Sequence, residues 1–305
     1  MIISLFASLV NAEESVNYLL TAASKGDLET VSAILDSGGN PNTKDEDGVT
    51  ALMYAARKDM DKVLAYLIKK GAKVNVTENN GWTALMFAAK KNYVRSVHLL
   101  LDNGADPKIR DNDGWSAYGL AAISGFHEVI DLLITRGIDP NSSNDSGQTV
   151  LMYAAKNGDI KTIQILLDSG ADPNIVDKYK CSPLIYAARE GNVDAIILFL
   201  KHGIKIDYED QFNWTALTWA TKKNQLSVAK LLISSGANVD RKDSDGTPIF
   251  HYAVANKSKE MVQLFIDSKV NIKAKDRYGL TALVYALKGK NKEITDLIKN
   301  AGGNY

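Results

Sequence analysis

The chain has 305 residues, 45% apolar and 24% charged, which is enough apolar material for an extensive core and excludes a disordered tail. Its 36 basic and 36 acidic residues cancel, so no global field draws it to nucleic acid or an anionic membrane, and every charge argument is local. A single cysteine, Cys181, excludes an internal disulfide framework and a thiolate-rich zinc or iron–sulfur site.

The first apolar run, Met1 to Val10, is too short to span a bilayer. With the Val-Asn-Ala triplet before Glu13 it predicts a signal peptide over 1–12, and hence a periplasmic or secreted protein with no membrane insertion once that peptide is removed. The run lacks a positive n-region. An apolar helix packed on the first repeat of a cytoplasmic protein is therefore the alternative.

From Asp45 onward one unit recurs every 33 residues without insertion: DEDGVTALMYAA, ENNGWTALMFAA, DNDGWSAYGLAA, NDSGQTVLMYAA, DKYKCSPLIYAA, DQFNWTALTWAT, DSDGTPIFHYAV and DRYGLTALVYAL. Two turn columns keep that register. One runs through Gly48, Gly81, Gly114 and Gly147 to Lys180, Asn213, Gly246 and Gly279; the other, 23 residues later, begins at Gly71 and ends at Gly302. The residues before Asp45 fit a less regular unit, which divides the mature chain into an N-terminal capping unit (13–44), seven full repeats (45–275) and a C-terminal capping repeat (276–305).

Within a unit, the Asp-x-x-Gly turn uses glycine for its positive φ, and Thr or Ser then caps an inner helix that starts at Ala or Pro. Paired alanines such as Ala55 and Ala56 let neighbouring inner helices approach closely. An outer helix, for example Val63 to Lys70 with Val63, Leu67 and Ile68 on one face, ends at a left-handed glycine. Such a pair buries its apolar stripe only by stacking on its neighbours.

With its T-A-L-M-Y-A-A and G-A-D-P-N elements, the chain resembles the ankyrin repeat family, of the multi-repeat bacterial type, over residues 15–305. The resemblance implies an all-α solenoid of stacked helix-turn-helix units joined by β-turn, hairpin-like loops. It also implies a concave groove that holds a partner. The family's usual histidine is replaced by Met53, Met86, Gly119, Met152, Ile185, Thr218 and Val284, and only His251 keeps it. Because its threonine partner has become Pro248, the family's Thr–His hydrogen bond is expected to be absent throughout. Lys180 and Lys269 at glycine positions should each cost about 1 kcal/mol if the left-handed turn is kept. Thr295, Lys299 and Asn300 suit a polar terminal cap.

No catalytic, cofactor or metal constellation is legible. The histidines His98, His127, His202 and His251 fall in four different repeats, and the glycines belong to repeat turns. Acidic residues recur by period, as Asp45, Asp111, Asp177, Asp210, Asp243 and Asp276 do, where a catalytic pair would be singular. Lys178 and Lys180 flank Cys181 and would lower its pKa, but without a nearby histidine a reactive thiol is the minor reading.

Columns at the repeat period outline the expected binding face. Directly after the turn stand Val49, Trp82, Trp115, Gln148, Cys181, Trp214, Thr247 and Leu280; a turn tip offers little protein to bury an indole, so Trp82, Trp115 and Trp214 are the expected anchors. The inner-helix column, which includes Tyr186 and Trp219, reads first as packing and second as partner contact. Tyr179 and Phe212 add rings before the turn. Arg57, Lys90, Lys91, Arg189, Lys222 and Lys223 end the inner helices, where the helix dipole favours cations and where they would also make a positive groove floor beside acidic tips such as Asp45, Glu46, Asp47 and Asp113.

These columns support a non-catalytic scaffold for a protein or peptide partner, with no cofactor. A nucleic-acid binder using the basic and aromatic columns is one rival, although overall neutrality weighs against it. A regulatory or chaperone-like subunit of an exported enzyme is another.

Overall fold

The computed structural model describes residues 12–304. Residues 1–11, the body of the predicted signal peptide, lie outside them. The described residues hold eighteen α-helices in nine antiparallel pairs, the all-α class expected. The chain forms two compact units, Met1–Asp145 and Ser146–Tyr305.

In the first unit the inner helices are α1 (Ala12–Lys25), α3 (Ala51–Arg57), α5 (Ala84–Ala89) and α7 (Ala117–Ile123); the outer ones are α2 (Leu28–Asp36), α4 (Asp61–Lys69), α6 (Val94–Asp102) and α8 (His127–Thr135). In the second, inner α9 (Val150–Asn157), α11 (Pro183–Glu190), α13 (Ala216–Lys222), α15 (Ile249–Ala255) and α17 (Ala282–Lys288) alternate with outer α10 (Ile160–Asp168), α12 (Val193–Lys201), α14 (Leu226–Ser234), α16 (Lys259–Asp267) and α18 (Lys292–Asn300). Inside each unit, inner helices pack on inner and outer on outer. The paired alanines lie at the inner contacts, where Ala55, Ala56, Ala88 and Ala187 are fully buried. On α4 the buried stripe is Val63, Leu64 and Leu67, so Leu64 takes the core place expected of Ile68.

Helices α3, α5, α9 and α13 begin on caps that use the residue replacing the family histidine, whereas Ser116 of α7 and Thr281 of α17 make no side-chain cap bond and Pro248 stands at the cap of α15. The Thr50 hydroxyl accepts the Met53 N–H at 3.3 Å, and the Thr50 N–H donates to the Met53 sulfur at 3.4 Å. Thr83–Met86 and Thr149–Met152 repeat this, while the Thr218 hydroxyl accepts from Thr215 at 3.2 Å. A weak sulfur acceptor thus satisfies a buried N–H that would otherwise be orphaned. His251 makes no hydrogen bond to a threonine: its Nε2 meets the Leu280 carbonyl of the next repeat at 3.1 Å and its Nδ1 has no hydrogen-bond partner.

The loops are hairpin-like. Single antiparallel bridges join Lys44 to Thr50, Lys242 to Pro248 and Lys275 to Thr281. Lys180 and Lys269 both keep the left-handed turn, at φ 60°. Thr295 does not face solvent in the terminal pair: it is buried, and its hydroxyl donates to the Asn291 carbonyl, whereas Lys299 and Asn300 are exposed. A helical hydroxyl can satisfy itself on the preceding turn, which lets threonine sit in the core.

Candidate functional site

Each Asp-x-x-Gly turn is closed by its aspartate. In the second unit Oδ1 of Asp177 accepts the N–H groups of Tyr179 and Cys181, both at 2.9 Å, and Oδ1 of Asp210 accepts those of Phe212 and Trp214. The other oxygen reaches nine residues on, into the inner helix. Tyr186 Oη donates to Asp177 Oδ2 at 2.7 Å, Trp219 Nε1 to Asp210 Oδ2 at 2.9 Å, and the Tyr252 and Tyr285 hydroxyls to Asp243 and Asp276. Tyr54 to Asp45, at 2.8 Å, is the first unit's example. These clasps place the recurring aspartates inward, with Asp177, Asp210 and Asp276 buried. The carboxylate column and the aromatic column are therefore one structural device. Their nine-residue offset was the signal in the sequence that could have paired them.

Burial and the clasps together raise the pKa values of the phenols. For Tyr186 and Tyr252 burial is the main cause and the acceptor carboxylate the second; for Tyr285 the Asp276 hydrogen bond leads. Burial alone would raise Asp276, but the Tyr285 hydroxyl and the Leu280 and Tyr278 N–H groups hold it below the ordinary value.

The tips are also tied to one another. The Gln211 N–H donates to the Tyr179 carbonyl at 3.0 Å, and the Ser244 N–H to the Phe212 carbonyl at 2.9 Å. On this ladder stand the exposed rings of Tyr179, at 45%, and Phe212, at 49% of full exposure; Tyr278, at 68%, stands on the last turn, where its N–H donates to Asp276. The residue after the turn, which carries the tryptophans, points back toward the inner helix instead. Trp115 is only 8% exposed, contrary to its expected place at an open tip. Its room comes from Gly119: a Cβ there would stand 2.1 Å from Trp115 Cε3. Trp82 and Trp214 are half-buried against Phe87 and Trp219, at 5.0 and 4.7 Å between ring centroids.

The inner-helix cations lie over these rings. Arg189 covers Tyr186 (4.9 Å) and Trp219 (5.5 Å), and Lys222 covers Trp214 (4.1 Å) and Tyr252 (5.0 Å). Arg57 spans Tyr54 and Phe87 in the first unit. Lys90 is half-buried, and Lys91 and Lys223 are exposed. In the second unit the structure thus brings together Tyr186, Arg189, Trp214, Trp219, Lys222 and Tyr252 as one wall, with Phe212 at its rim 6.1 Å from Trp214. The tips differ between units. Those of the first carry Glu46, Asp47 and Asp113, all exposed, whereas those of the second carry the exposed rings and one exposed acid, Asp245, paired with Arg277.

Cys181 is buried beside Asp177 and Asp210, and burial followed by those carboxylates pushes its thiol up to about 12. The flanking lysines do not activate it. Among the described residues no group of His, Cys, Asp or Glu could hold a metal ion, and no helix is long and apolar enough to cross a membrane.

The family model described as ankyrin repeats (3 copies) matches residues 19–111, 93–177, 169–243 and 238–304. The chain belongs to the ankyrin repeat family. No curated protein matches it. Ankyrin repeats are typically protein-binding scaffolds, so the wall of inner helices and turn tips is the surface to weigh as a site.

Proposed function

We propose that this ankyrin repeat chain is a non-catalytic scaffold that binds a protein partner on the inner-helix and tip wall of Ser146–Tyr305. One observation carries the reading. Tyr179, Phe212 and Tyr278 are exposed, yet their turns are fixed by aspartate clasps and, for the first two, by the tip ladder. Exposed rings on an immobile backbone lose little entropy on binding, and such aromatics are the usual anchors of interfaces. Behind them, Trp214, Trp219 and Arg189 form a half-buried floor, with the exposed Lys222 over Trp214. Trp115, buried on Gly119, has no part in this face.

The test uses protein captured from the native host. A Phe212→Ala, Tyr278→Ala variant should keep its melting temperature while its yield of co-purified partner falls at least about tenfold. Equal capture by a folded variant would overturn the reading. The apolar Met1 to Val10 run supports export to a periplasm or beyond. Mass spectrometry should then find a mature N-terminus near Glu13, and an intact Met1 in the cytosol would refute it.

A further inference from the structure

On the reading that this wall binds protein, we infer the chemistry of what it takes: an extended acidic segment in polyproline II form, with a carboxylate at every third residue. Its three carboxylates pair with Lys156, Arg189 and Lys222, which occupy the same position on the consecutive inner helices α9, α11 and α13.

The inference rests first on spacing. Helix α9 packs on α11 and α11 on α13, and packed helices lie about 8–10 Å apart, so equivalent side chains recur at about that interval. A polyproline II chain rises about 3.1 Å per residue with three residues per turn, returning side chains to one face about every 9.3 Å. A β-strand returns them about every 6.8 Å and an α-helix about every 5.4 Å, neither of which keeps step with the helices. The next inner helix has Ala255 at this position, which limits the match to three carboxylates.

Charge is the second ground. The ends of the inner helices in this unit carry Lys156, Arg189, Lys222, Lys223 and Lys288, against the one carboxylate Glu190, which meets Arg189 at 3.2 Å. The turn aspartates Asp177, Asp210 and Asp243 are not ion-paired with these cations: their oxygens accept backbone N–H groups and the side chains of Tyr186, Trp219 and Tyr252, which leaves the cations free to pair with an incoming carboxylate. Arg189 and Lys222 are moreover held in place by the rings beneath them, which reduces the side-chain entropy lost when a carboxylate arrives. The same arrangement disfavours a single-stranded nucleic acid. Stacking needs an open ring face, and the faces of Trp214 and Trp219 are already capped by cations.

The probe is a fluorescein-labelled EPPEPPEPP peptide titrated into the whole chain and followed by anisotropy, beside EEEPPPPPP, KPPKPPKPP and a deoxythymidine oligomer. EPPEPPEPP should saturate with a Kd of about 100 µM or lower at low salt and weaken as salt rises. The clustered EEEPPPPPP should bind at least about tenfold more weakly, as should EPPEPPEPP to Lys222→Glu and, separately, to the exposed-site variant Lys156→Glu. Three results would each overturn the inference: no saturation up to about 1 mM, equal affinity for the clustered and spaced peptides, or tighter binding of the deoxythymidine oligomer or the lysine peptide. If the peptide fails while Phe212→Ala, Tyr278→Ala still loses the captured partner, the acidic-segment inference falls and the protein-binding reading stands.

Discussion

Trp115 and Gly119 show how far a single position depends on its neighbour. In the other repeats the residue four after the turn's successor carries a side chain, such as Met53 below Val49, and at Gly119 the indole fills that volume. Trp115→Ala should therefore lower stability by about 3–5 kcal/mol, as the loss of a packed indole does. Gly119→Ala should cost about 1–3 kcal/mol by overpacking. Calorimetry on both, and on Trp115→Val with Gly119→Met to rebuild the Val49–Met53 pair, checks this; recovery in the double variant is the expected result. A Trp115→Ala variant of unchanged stability would return that indole to the list of exposed anchors.

His251 makes a prediction in pH. It is buried with Nδ1 unpartnered, stands edge-on to Tyr285, and its pKa is lowered from 6.5 chiefly by burial, with the Leu280 carbonyl and Asp276 opposing and Lys242 assisting. The unfolded chain therefore binds the proton more readily than the folded one. Stability is full above about pH 6.5 and declines as pH falls from there toward the lower folded pKa. The melting temperature should drop between pH 7 and about pH 5 and do so less in His251→Gln, which cannot take up the proton. Parallel pH profiles would refute it.

At the scale of the element, the left-handed lysines set local stability. Lys257, Lys269 and Lys290 lie at φ 56°, 60° and 52° around the last two helix pairs, where a β-carbon is strained and glycine is not. Lys269→Gly should raise stability by about 1 kcal/mol, read as a shift in the denaturation midpoint. A lower midpoint would mean that the lysine side chain contributes more than its backbone strain costs. The clasps act at the same scale in the opposite direction. By bonding a turn aspartate to the inner helix nine residues on, they fasten each tip to the helix it precedes.

Over the whole molecule, a repeat stack unfolds from its weakest units, because stability sums over repeats and their nearest-neighbour contacts. Amide exchange should consequently be faster in α15–α18 than in α9–α14, and Lys269→Gly should slow it; uniform protection would refute the assignment of strain to these turns. The balanced total charge likewise conceals a distribution. Exposed acids dominate the tips of Met1–Asp145, while the tips and helix ends of Ser146–Tyr305 carry rings and cations beside one exposed tip acid, Asp245, which pairs with Arg277.

The 33-residue period, the nine helix pairs and the caps at Thr50, Thr83, Thr149, Ser182 and Thr215 could be read directly from the chain, because turn glycines, caps and small alanines act over a few residues and recur in fixed register. The aromatic, basic and acidic columns could be read the same way. What each column does was decided only by tertiary packing. A column gives a position along the chain and not the direction in which a side chain leaves it, and direction depends on neighbours such as Gly119, which draws Trp115 inward, or Asp177, which turns Tyr186 into a strut. Thus the exposed rings are Tyr179, Phe212 and Tyr278, before the turn, where the turn aspartates hold the backbone and the side chains meet little more than a neighbouring cation or ring.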